Sequence, residues 1–176
     1  MEVLRGNDTG ALYEICVALA SEMVSLSREI DHAEAENMVR GAIADGSAYK
    51  KFLEWIAAQG GDVSYIEENR LAVGAITREV KAQLDGYVYS MDAEAIGSAA
   101  CRLGAGRVKK DDVPDLSAGI VLGCEIGDRV HKGDVLATLY TSDETKLVSA
   151  EAAILASIEI GDTAPEPRSV VYKKIK

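Results

Sequence analysis

The hydrophobic periodicity of the chain changes near residue 78, and this change most constrains its fold. Before it, apolar residues recur three and four positions apart, as on one face of an α-helix; the clearest run is Leu12, Ile15, Cys16, Leu19, Met23 and Leu26. After it, short alternating or aromatic runs are separated by glycine turns, which is typical of β-strands. The pattern predicts an α+β chain with a helical segment at 1–70, a linker at 71–78 and a second domain at 79–176.

Three helices are predicted in the helical segment. The first follows the N-cap candidates Asp8 and Thr9, the second follows Asp31, and the third extends over 48–58. Their apolar faces supply a predicted core, whose natural neighbours are expected to include protein outside residues 1–176, and any part of it left uncovered would drive self-association through residues 10–58. The members of this predicted core are Leu12, Ile15, Leu19, Met23, Phe52 and Trp55.

The second domain is predicted to combine strands with two helices. Asp92 is positioned to cap a helix over 93–103, and Ser142 or Asp143 to open a helix over 144–158. Short apolar or aromatic runs indicate strands at 80–84, 87–89, 119–122, 135–140 and 170–172.

The tetrapeptide Glu-Ile-Gly-Asp occurs twice in the second domain, at 125–128 and at 159–162. The segments that flank the two copies do not repeat, so the pair does not indicate a repeat architecture. We therefore expect both copies to be turns that use the same local chemistry.

Composition excludes several classes of protein. The formal net charge is −10, whereas nucleic-acid binders present a basic surface. No window approaches the roughly 18 uncharged apolar residues of a membrane span, and the start of the chain lacks the pattern of a signal peptide. Cys16, Cys101 and Cys124 are far apart and form no CxxC pair, which disfavours a disulfide framework or a zinc site. We expect a soluble cytoplasmic protein that binds neither nucleic acid nor membrane.

The sequence contains no recognisable catalytic or metal-ligating motif. His32 and His131 are far apart in sequence, and each is predicted to be a solvated turn residue. No serine or cysteine lies in a GxSxG-type elbow, and the paired carboxylates fall in predicted loops, where adjacent side chains diverge. The sequence therefore predicts no catalytic, substrate-binding or metal site in this chain, and no cofactor.

One loop carries the most suggestive chemistry. Gly104 and Gly106 allow close backbone approach, and Arg107, Lys109 and Lys110 add three cations, a combination that can hold an anion. Three aspartates follow within five residues and offset this charge. Two interpretations stay open: an anion-binding or interdomain loop, and a turn that only ends a helix.

Several motifs of the second domain occur in the same order in a known family. They are DGYVYSMD at 85–92, IGSAACRLGAGR at 96–107, KDD at 110–112, GIVL at 119–122, IGDRV at 126–130 and GDVLATLY at 133–140. Together they resemble the C-terminal domain of pyrimidine-nucleoside and thymidine phosphorylases. Residues 4–26 resemble the stretch that closes the catalytic domain of the same family.

This resemblance implies a fold and a reaction. The fold of residues 79–176 would be an α/β-hammerhead, a barrel-like sandwich of short strands covered by the two helices. The reaction of the parent enzyme would be pentosyl transfer, in which phosphate, the co-substrate, attacks the anomeric carbon of a pyrimidine nucleoside and releases the base. The parent would be a cytoplasmic homodimer, active in nucleoside salvage.

The resemblance also implies where the functional residues lie. The phosphate loop, the pyrimidine-binding residues and the potassium-binding segment of the family correspond to positions before Met1. No catalytic or substrate-binding residue is therefore assigned in this chain, and we expect it to be inactive alone. The loop from Gly104 to Lys110 resembles one near the moving domain boundary, so Gly104, Gly106, Arg107, Lys109 and Lys110 are interpreted as a domain-closure loop.

A carrier domain is the alternative. The pattern Gly-Asp-Arg-Val followed by Lys-Gly-Asp-Val-Leu is similar to biotinyl and lipoyl carriers, which present a lysine on an exposed hairpin beside methionine. Here Met91 has no adjacent lysine, and a predicted helix replaces the hairpin. A shared barrel-sandwich architecture explains this similarity without a shared function. A purely structural or assembly module is the third possibility.

Overall fold

The computed structural model describes residues 1–7, 10–107, 109–167, 169 and 171, and the chain divides into two compact units. The first contains Met1–Arg70 and the second is Leu71–Pro167. The predicted N-cap residues Asp8 and Thr9, and two of the three residues of the predicted strand at 170–172, lie outside the described residues.

The described residues of the first unit contain four helices. They are α1 (Ala11–Arg28), α2 (His32–Ala44), α3 (Ser47–Ala58) and a single turn, α4 (Ser64–Glu67). The three predicted helices are confirmed, and a carboxylate oxygen of Asp31 accepts from the Ala33 N–H at 2.9 Å, as an N-cap does. Arg5 ties the N-terminal segment to this unit, because its guanidinium donates to the Tyr49 hydroxyl and to the Ile66 carbonyl, both at 3.0 Å.

The core of the first unit differs from the prediction. Helices α1 and α2 pack through Val17, Ser21 and Ala35, which are almost completely buried. Most of the apolar residues predicted to be core are instead exposed, and Phe52 is half-buried with its ring 6.2 Å from that of Trp55. The prediction was wrong because α1 has small and β-branched residues on one face and larger ones on the other, and α2 covers the first face. The exposed members are Leu12, Ile15, Leu19, Met23 and Trp55.

Two three-stranded antiparallel sheets form the second unit. The strands are β1 (Ile76–Lys81), β2 (Gly86–Met91), β3 (Gly119–Leu122), β4 (Arg129–Val130), β5 (Val135–Thr141) and β6 (Ile158–Gly161). One sheet has the order β1-β5-β3 and the other β4-β2-β6, so the neighbouring strands β1 and β2 lie in different sheets. Strand β1 begins inside the stretch proposed as the linker, because Ile76, Thr77 and Arg78 already pair with β5.

Two helices complete the second unit. Helix α5 (Ala93–Ala100) continues into a wider π-type turn, Cys101–Ala105, and α6 (Leu147–Ser157) follows a single 3-10 turn. The carboxylates of Asp92 and Asp143 accept from the N–H groups of Ala95 and Thr145, each at 3.0 Å, which confirms Asp92 as a cap and selects Asp143 over Ser142. Both helices contribute to one apolar core with the strands, and the α+β class is confirmed. The α/β-hammerhead assignment stays a prediction.

Two turns of the second unit have identical hydrogen bonding. They are residues 125–128 and 131–134. In each, the carboxylate of the fourth residue accepts from the N–H of the first, at 2.8 and 2.7 Å, and the third residue is a glycine at φ +100°. In the first turn the Gly127 N–H donates to the carbonyl of Val88, and the Val88 N–H donates to the carbonyl of Asp128. In the second turn the same two bonds join Gly133 and Asp134 to Ala82. The second unit therefore contains a structural repeat six residues apart.

The repeated tetrapeptide is not this structural repeat. Its first copy, at 125–128, is a turn as expected, but most of its second copy, at 159–162, lies in strand β6 and pairs with β2. The expectation of a turn there was wrong, because pairing with β2 keeps the backbone extended. The residues His131-Lys132-Gly133-Asp134 instead form the equivalent turn, since only the glycine and the aspartate are needed for its hydrogen bonds.

Candidate functional site

The loop from Gly104 to Lys110 has a fixed base. The carbonyl of the buried residue Leu103 accepts from the Thr141 hydroxyl at 2.9 Å, and the carbonyl of Gly104 accepts from the Asp115 N–H at 2.8 Å. Gly104 has φ +119°, and a Cβ built there would lie 3.2 Å from the Cβ of Asp115 and 3.4 Å from the Nζ of Lys146. Glycine is therefore required at this position for both its backbone conformation and its close packing.

Asp115 holds three segments of the second unit together. Its Oδ1 accepts from the Ser117 N–H at 2.9 Å and from the Ser117 hydroxyl at 2.6 Å, and its Oδ2 accepts from the N–H and hydroxyl of Ser142. The Ser117 hydroxyl, followed by that of Ser142, holds the pKa of the Asp115 carboxyl well below its usual range. From the sequence, Asp115 was identified only as a charge that offsets the cations of the loop.

Part of this arrangement had a signal in the sequence. Asp-x-Ser, at Asp115 and Ser117, is a spacing at which aspartate accepts from the backbone two residues on. The contact with Ser142 had no such signal, because it joins residues 27 positions apart that only the folded chain brings together.

The tip of the loop carries the cations. Arg107, Lys109 and Lys110 are exposed, and within the described part of the chain none of them makes an ion pair. The Lys109 N–H donates to a carboxylate oxygen of Asp112 at 2.7 Å, which closes a turn and leaves the lysine side chain in solvent. The structure thus brings three cations to one exposed tip on an anchored base, an arrangement that can attract an anion or an acidic surface.

Gly106 allows the loop to pass close to the helix before it. A Cβ at this residue would lie 2.5 Å from the Sγ of Cys101, a separation that no side chain could adopt without movement. Both glycines of the candidate loop are thus explained by local packing. This explanation also fits a turn that only ends a helix, so the cations and not the glycines distinguish the two interpretations.

The two histidines have acidic neighbours. His131 lies in a turn and is exposed, as predicted, with its Nδ1 3.6 Å from Asp85. The backbone N–H of Lys132 donates to the same carboxylate at 2.7 Å and lowers the pKa of Asp85. His32 was predicted to be a turn residue but is the first residue of α2, with its Nδ1 3.3 Å from Glu22.

The described residues also bear on the other classes considered. They contain no group of three or more histidine, cysteine, aspartate and glutamate side chains placed to hold a metal ion. No helix among them is long and apolar enough to cross a bilayer. Where a carrier domain would present its lysine hairpin, strand β2 is followed directly by α5, which begins at Ala93.

Comparisons with known proteins agree with the fold. The family model of the pyrimidine nucleoside phosphorylase C-terminal domain matches residues 87–161 of this chain. The chain is 36% identical over 177 residues to a pyrimidine-nucleoside phosphorylase of Geobacillus stearothermophilus, covering 99% of this chain and 41% of the relative. It is 34% identical over 172 residues to a pyrimidine-nucleoside phosphorylase of Bacillus subtilis, and the match covers 97% of this chain and 40% of that relative.

A third relative extends the comparison. A pyrimidine-nucleoside phosphorylase of Staphylococcus epidermidis is 38% identical over 144 residues, 81% of this chain and 33% of the relative. The chain thus spans about two fifths or less of the length of these curated relatives. Because the family domain and the relatives match in the same region, the chain is similar to the C-terminal portion of pyrimidine-nucleoside phosphorylases.

Proposed function

We propose that this chain acts as the C-terminal part of a pyrimidine-nucleoside phosphorylase, a pentosyltransferase. The observation that carries the proposal is the 36% identity that extends over 99% of the chain. In the proposed reaction, phosphate attacks the anomeric carbon of a pyrimidine nucleoside and the C–N bond breaks. The base leaves as uracil or thymine, and the pentose leaves as its 1-phosphate. The proposed partners are therefore the nucleoside, phosphate and, in a homodimer, a second subunit.

We further propose that residues 1–176 alone do not catalyse this reaction. Phosphorolysis needs a cradle for phosphate and donors to the edge of the pyrimidine, held in line with each other. The cationic tip at Arg107, Lys109 and Lys110 offers charge but has no base-binding group beside it among the described residues. The rate contribution of positioning and of charge stabilisation together reaches many orders of magnitude, so its loss makes turnover undetectable.

The role that we assign to the Gly104–Lys110 loop is domain closure. Its base is fixed by Thr141 and Asp115, and its cations extend into solvent. A rigid base with exposed cations is suited to docking on an acidic or anionic surface when a cleft closes. In this proposal the loop stabilises the closed state and does not contact the reacting atoms.

The test uses this chain and a chimera. The purified 176-residue chain is incubated with uridine or thymidine and phosphate, and free base is measured. The chimera joins the unmatched N-terminal part of the Geobacillus stearothermophilus relative to residues 1–176. We expect base release from the chimera and none from the chain alone. Base release by the chain that survives repurification would overturn the proposed inactivity, and a folded chimera without activity would overturn the proposed function.

The purified chain also allows a test of the carrier-domain alternative. A mass spectrum of the chain tests the carrier alternative, because biotin or lipoate on any lysine would replace the phosphorylase proposal. We also propose a cytoplasmic location, supported by three cysteines that are free thiols, of which Cys16 and Cys101 are exposed.

A further inference from the structure

A cleft of about 370 Å³ lies between helices α1 and α2, and its volume is in the lower part of the range of binding pockets. Part of its lining is apolar and consists of Val17, which is almost completely buried, and Ala18. The charged and polar part of the lining consists of Glu14, His32, Glu36 and Arg40. We call this feature the α1–α2 cleft. The proposed reaction gives it no role.

Residues near the end of the sequence also line the α1–α2 cleft. They are Ser169 and Val171, and the Ser169 hydroxyl donates to the Val171 carbonyl at 2.8 Å. Residues 168–176 belong to the first compact unit and not to the second, which ends at Pro167. We call residues 168–176 the C-terminal segment.

The C-terminal segment is basic, whereas the chain as a whole is acidic. The segment contains one arginine and three lysines and no acidic residue, in a chain with a formal net charge of −10. It also contains two valines, a tyrosine and an isoleucine. A segment of this composition complements a surface that is partly acidic and partly apolar.

The α1–α2 cleft has this complementary character. Residues 11–44, which include both helices, carry six acidic and two basic side chains. In the cleft, the guanidinium of Arg40 lies 3.2 Å from the carboxylate of Glu14 and 2.9 Å from that of Glu36. One cation thus balances two carboxylates, so the cleft favours the approach of a further cation.

An anionic ligand would fit the same cleft less well. All three guanidinium nitrogens of Arg40 already donate within the chain, to Glu36, to the Tyr13 hydroxyl and to Glu14. The Nδ1 of His32 lies 3.3 Å from Glu22. An anion would therefore have to displace a carboxylate from the group that it binds.

We propose that the α1–α2 cleft is the docking site of the chain's own C-terminal segment. In this arrangement Val171 packs on the apolar part of the lining, and the lysines that follow it pair with Glu14 and Glu36. Lys173 and Lys174 follow Val171 by two and three residues, and an extended chain advances at most about 3.5 Å per residue. Their long side chains therefore reach carboxylates of the same cleft. This inference does not depend on the phosphorylase proposal, because it concerns the helical unit and not the reaction.

The first test measures proximity by cross-linking. In a Cys16→Ser, Cys101→Ser background, Ala18→Cys and Val171→Cys place two thiols in the lining of the cleft, and Cys124 is buried. We expect a short bis-maleimide reagent to join these thiols within one chain, which mass spectrometry of the monomer detects.

Met38→Cys combined with Val171→Cys is the control for proximity. Met38 is 38% exposed, and it lies about 200° around α2 from Glu36, away from the cleft. We expect little cross-linking there. Equal cross-linking of Val171→Cys to position 18 and to position 38, or none to either, would overturn the proposal. A product that joins two chains would also overturn it, because the cleft would then hold the segment of another copy.

The second test measures how far docking protects the C-terminal segment. Trypsin cleaves after Arg168, Lys173 and Lys174. We expect cleavage in the chain to be about tenfold slower than in a synthetic peptide of residues 166–176, because a docked segment must leave the cleft before it is cut. The difference should shrink between about 50 and about 500 mM NaCl, since salt screens exposed charges. Equal rates for the chain and the peptide at low salt would overturn the proposal.

The same protection assay identifies the cleft as the source of the attraction. Glu36→Gln removes one carboxylate charge of the cleft and keeps an acceptor for Arg40, so we expect cleavage of the segment to accelerate about threefold. Glu34→Gln is the matched control, because Glu34 is an exposed residue of α2 outside the cleft lining and its substitution changes the net charge equally. Circular dichroism checks that both variants keep the helical signal. Equal acceleration by the two variants would overturn docking in the cleft.

Discussion

Single residues control the base of the candidate loop, and Gly104 shows how. Its φ of +119° and the 3.2 Å between a built Cβ and the Cβ of Asp115 disfavour a side chain, while its carbonyl accepts from the Asp115 N–H. The backbone groups of Gly104 and Asp115 thus set the position where the loop begins, and the Asp115 carboxylate holds that position through Ser117 and Ser142. Substitutions at these two residues should therefore affect stability in different ways.

A methyl group at Gly104 should destabilise the second unit. We expect Gly104→Ala to lower the free energy of unfolding by about 1–3 kcal/mol, because it imposes a rare backbone conformation and a close contact. Urea denaturation measures this change. Gly97→Ala in α5 is the control: nothing lies within 4 Å of a Cβ there and the φ is ordinary, so it should be neutral or slightly stabilising. Equal effects at the two sites would contradict the explanation.

The carboxylate of Asp115 should make stability depend on pH. Its folded pKa is lowered, chiefly by the Ser117 hydroxyl. Its contribution is therefore present above the unfolded pKa of about 3.9 and is lost as the pH falls through the folded value. We expect Asp115→Asn to be less stable than the parent at pH 7 and to lose less stability between pH 5 and pH 2.

Thermal denaturation across this pH range tests the Asp115 prediction. Asp111→Asn is the matched control, because Asp111 is an exposed carboxylate with no hydrogen bond among the described residues. Identical pH profiles for the parent and Asp115→Asn would show that the carboxylate is not responsible.

Elements of the fold differ in how far the sequence predicts them. Helices α1, α2, α3, α5 and α6 were predicted because apolar spacing is a local signal, and α2 and α5 also have a capping aspartate. The separation of β1 and β2 into two sheets had no local signal, since β1 pairs with β5 more than 50 residues later. The exposed face of α1 was assigned to the core, because apolar periodicity identifies a helix face without identifying what covers it.

The residues of the candidate site also differ in whether the sequence alone identifies them. Gly104, Gly106 and the three cations of the loop were identified from the sequence, because glycine and charge are visible there. The anchoring by Thr141 and Ser142 was not, because these residues reach the loop only through the sheet. Glu-Ile-Gly-Asp failed as a structural signal at 159–162, where pairing with β2 determines the conformation.

The two equivalent turns should respond equally to equivalent substitutions. Asp128→Ala and Asp134→Ala each remove one carboxylate acceptor for an N–H three residues earlier. We expect each to lower the free energy of unfolding by about 1 kcal/mol. Asp162→Ala is the control, because Asp162 ends the second copy of the tetrapeptide outside a turn of this kind. A cost at Asp162 similar to that at Asp128 would show that the tetrapeptide, and not the turn, matters.

At the scale of the whole molecule, the net charge is negative, whereas the tip of the candidate loop carries three cations. The chain carries a net charge of −10, yet three cations meet at one exposed loop. Asp111, Asp112 and Asp115 offset these cations in number, so the contact proposed for domain closure depends on the exposed position of the cations and not on a net positive charge. Removing one cation from the tip should weaken that contact without removing any reacting group.

Arg107 should therefore affect turnover moderately. In the active chimera, we expect Arg107→Ala to lower kcat about tenfold, a change of ~1.4 kcal/mol in the barrier, because the closed state is less populated. Steady-state kinetics measures this effect. Lys132→Ala, which removes an exposed cation from a different turn, should leave kcat unchanged. A loss as complete as that from deleting a catalytic group would mean that Arg107 contacts the reacting atoms.

The paired turns at 125–128 and 131–134 also constrain chain length over evolution. Their glycines bond to Val88 and Ala82, so two stretches of equal length, 82–88 and 127–133, are fastened to each other at both ends. An inserted or deleted residue in one stretch would make the two stretches unequal in length, so the hydrogen bonds at their two ends could not both form. We therefore expect homologous sequences to align across both stretches without gaps, while insertions and deletions accumulate in the exposed tip of the candidate loop.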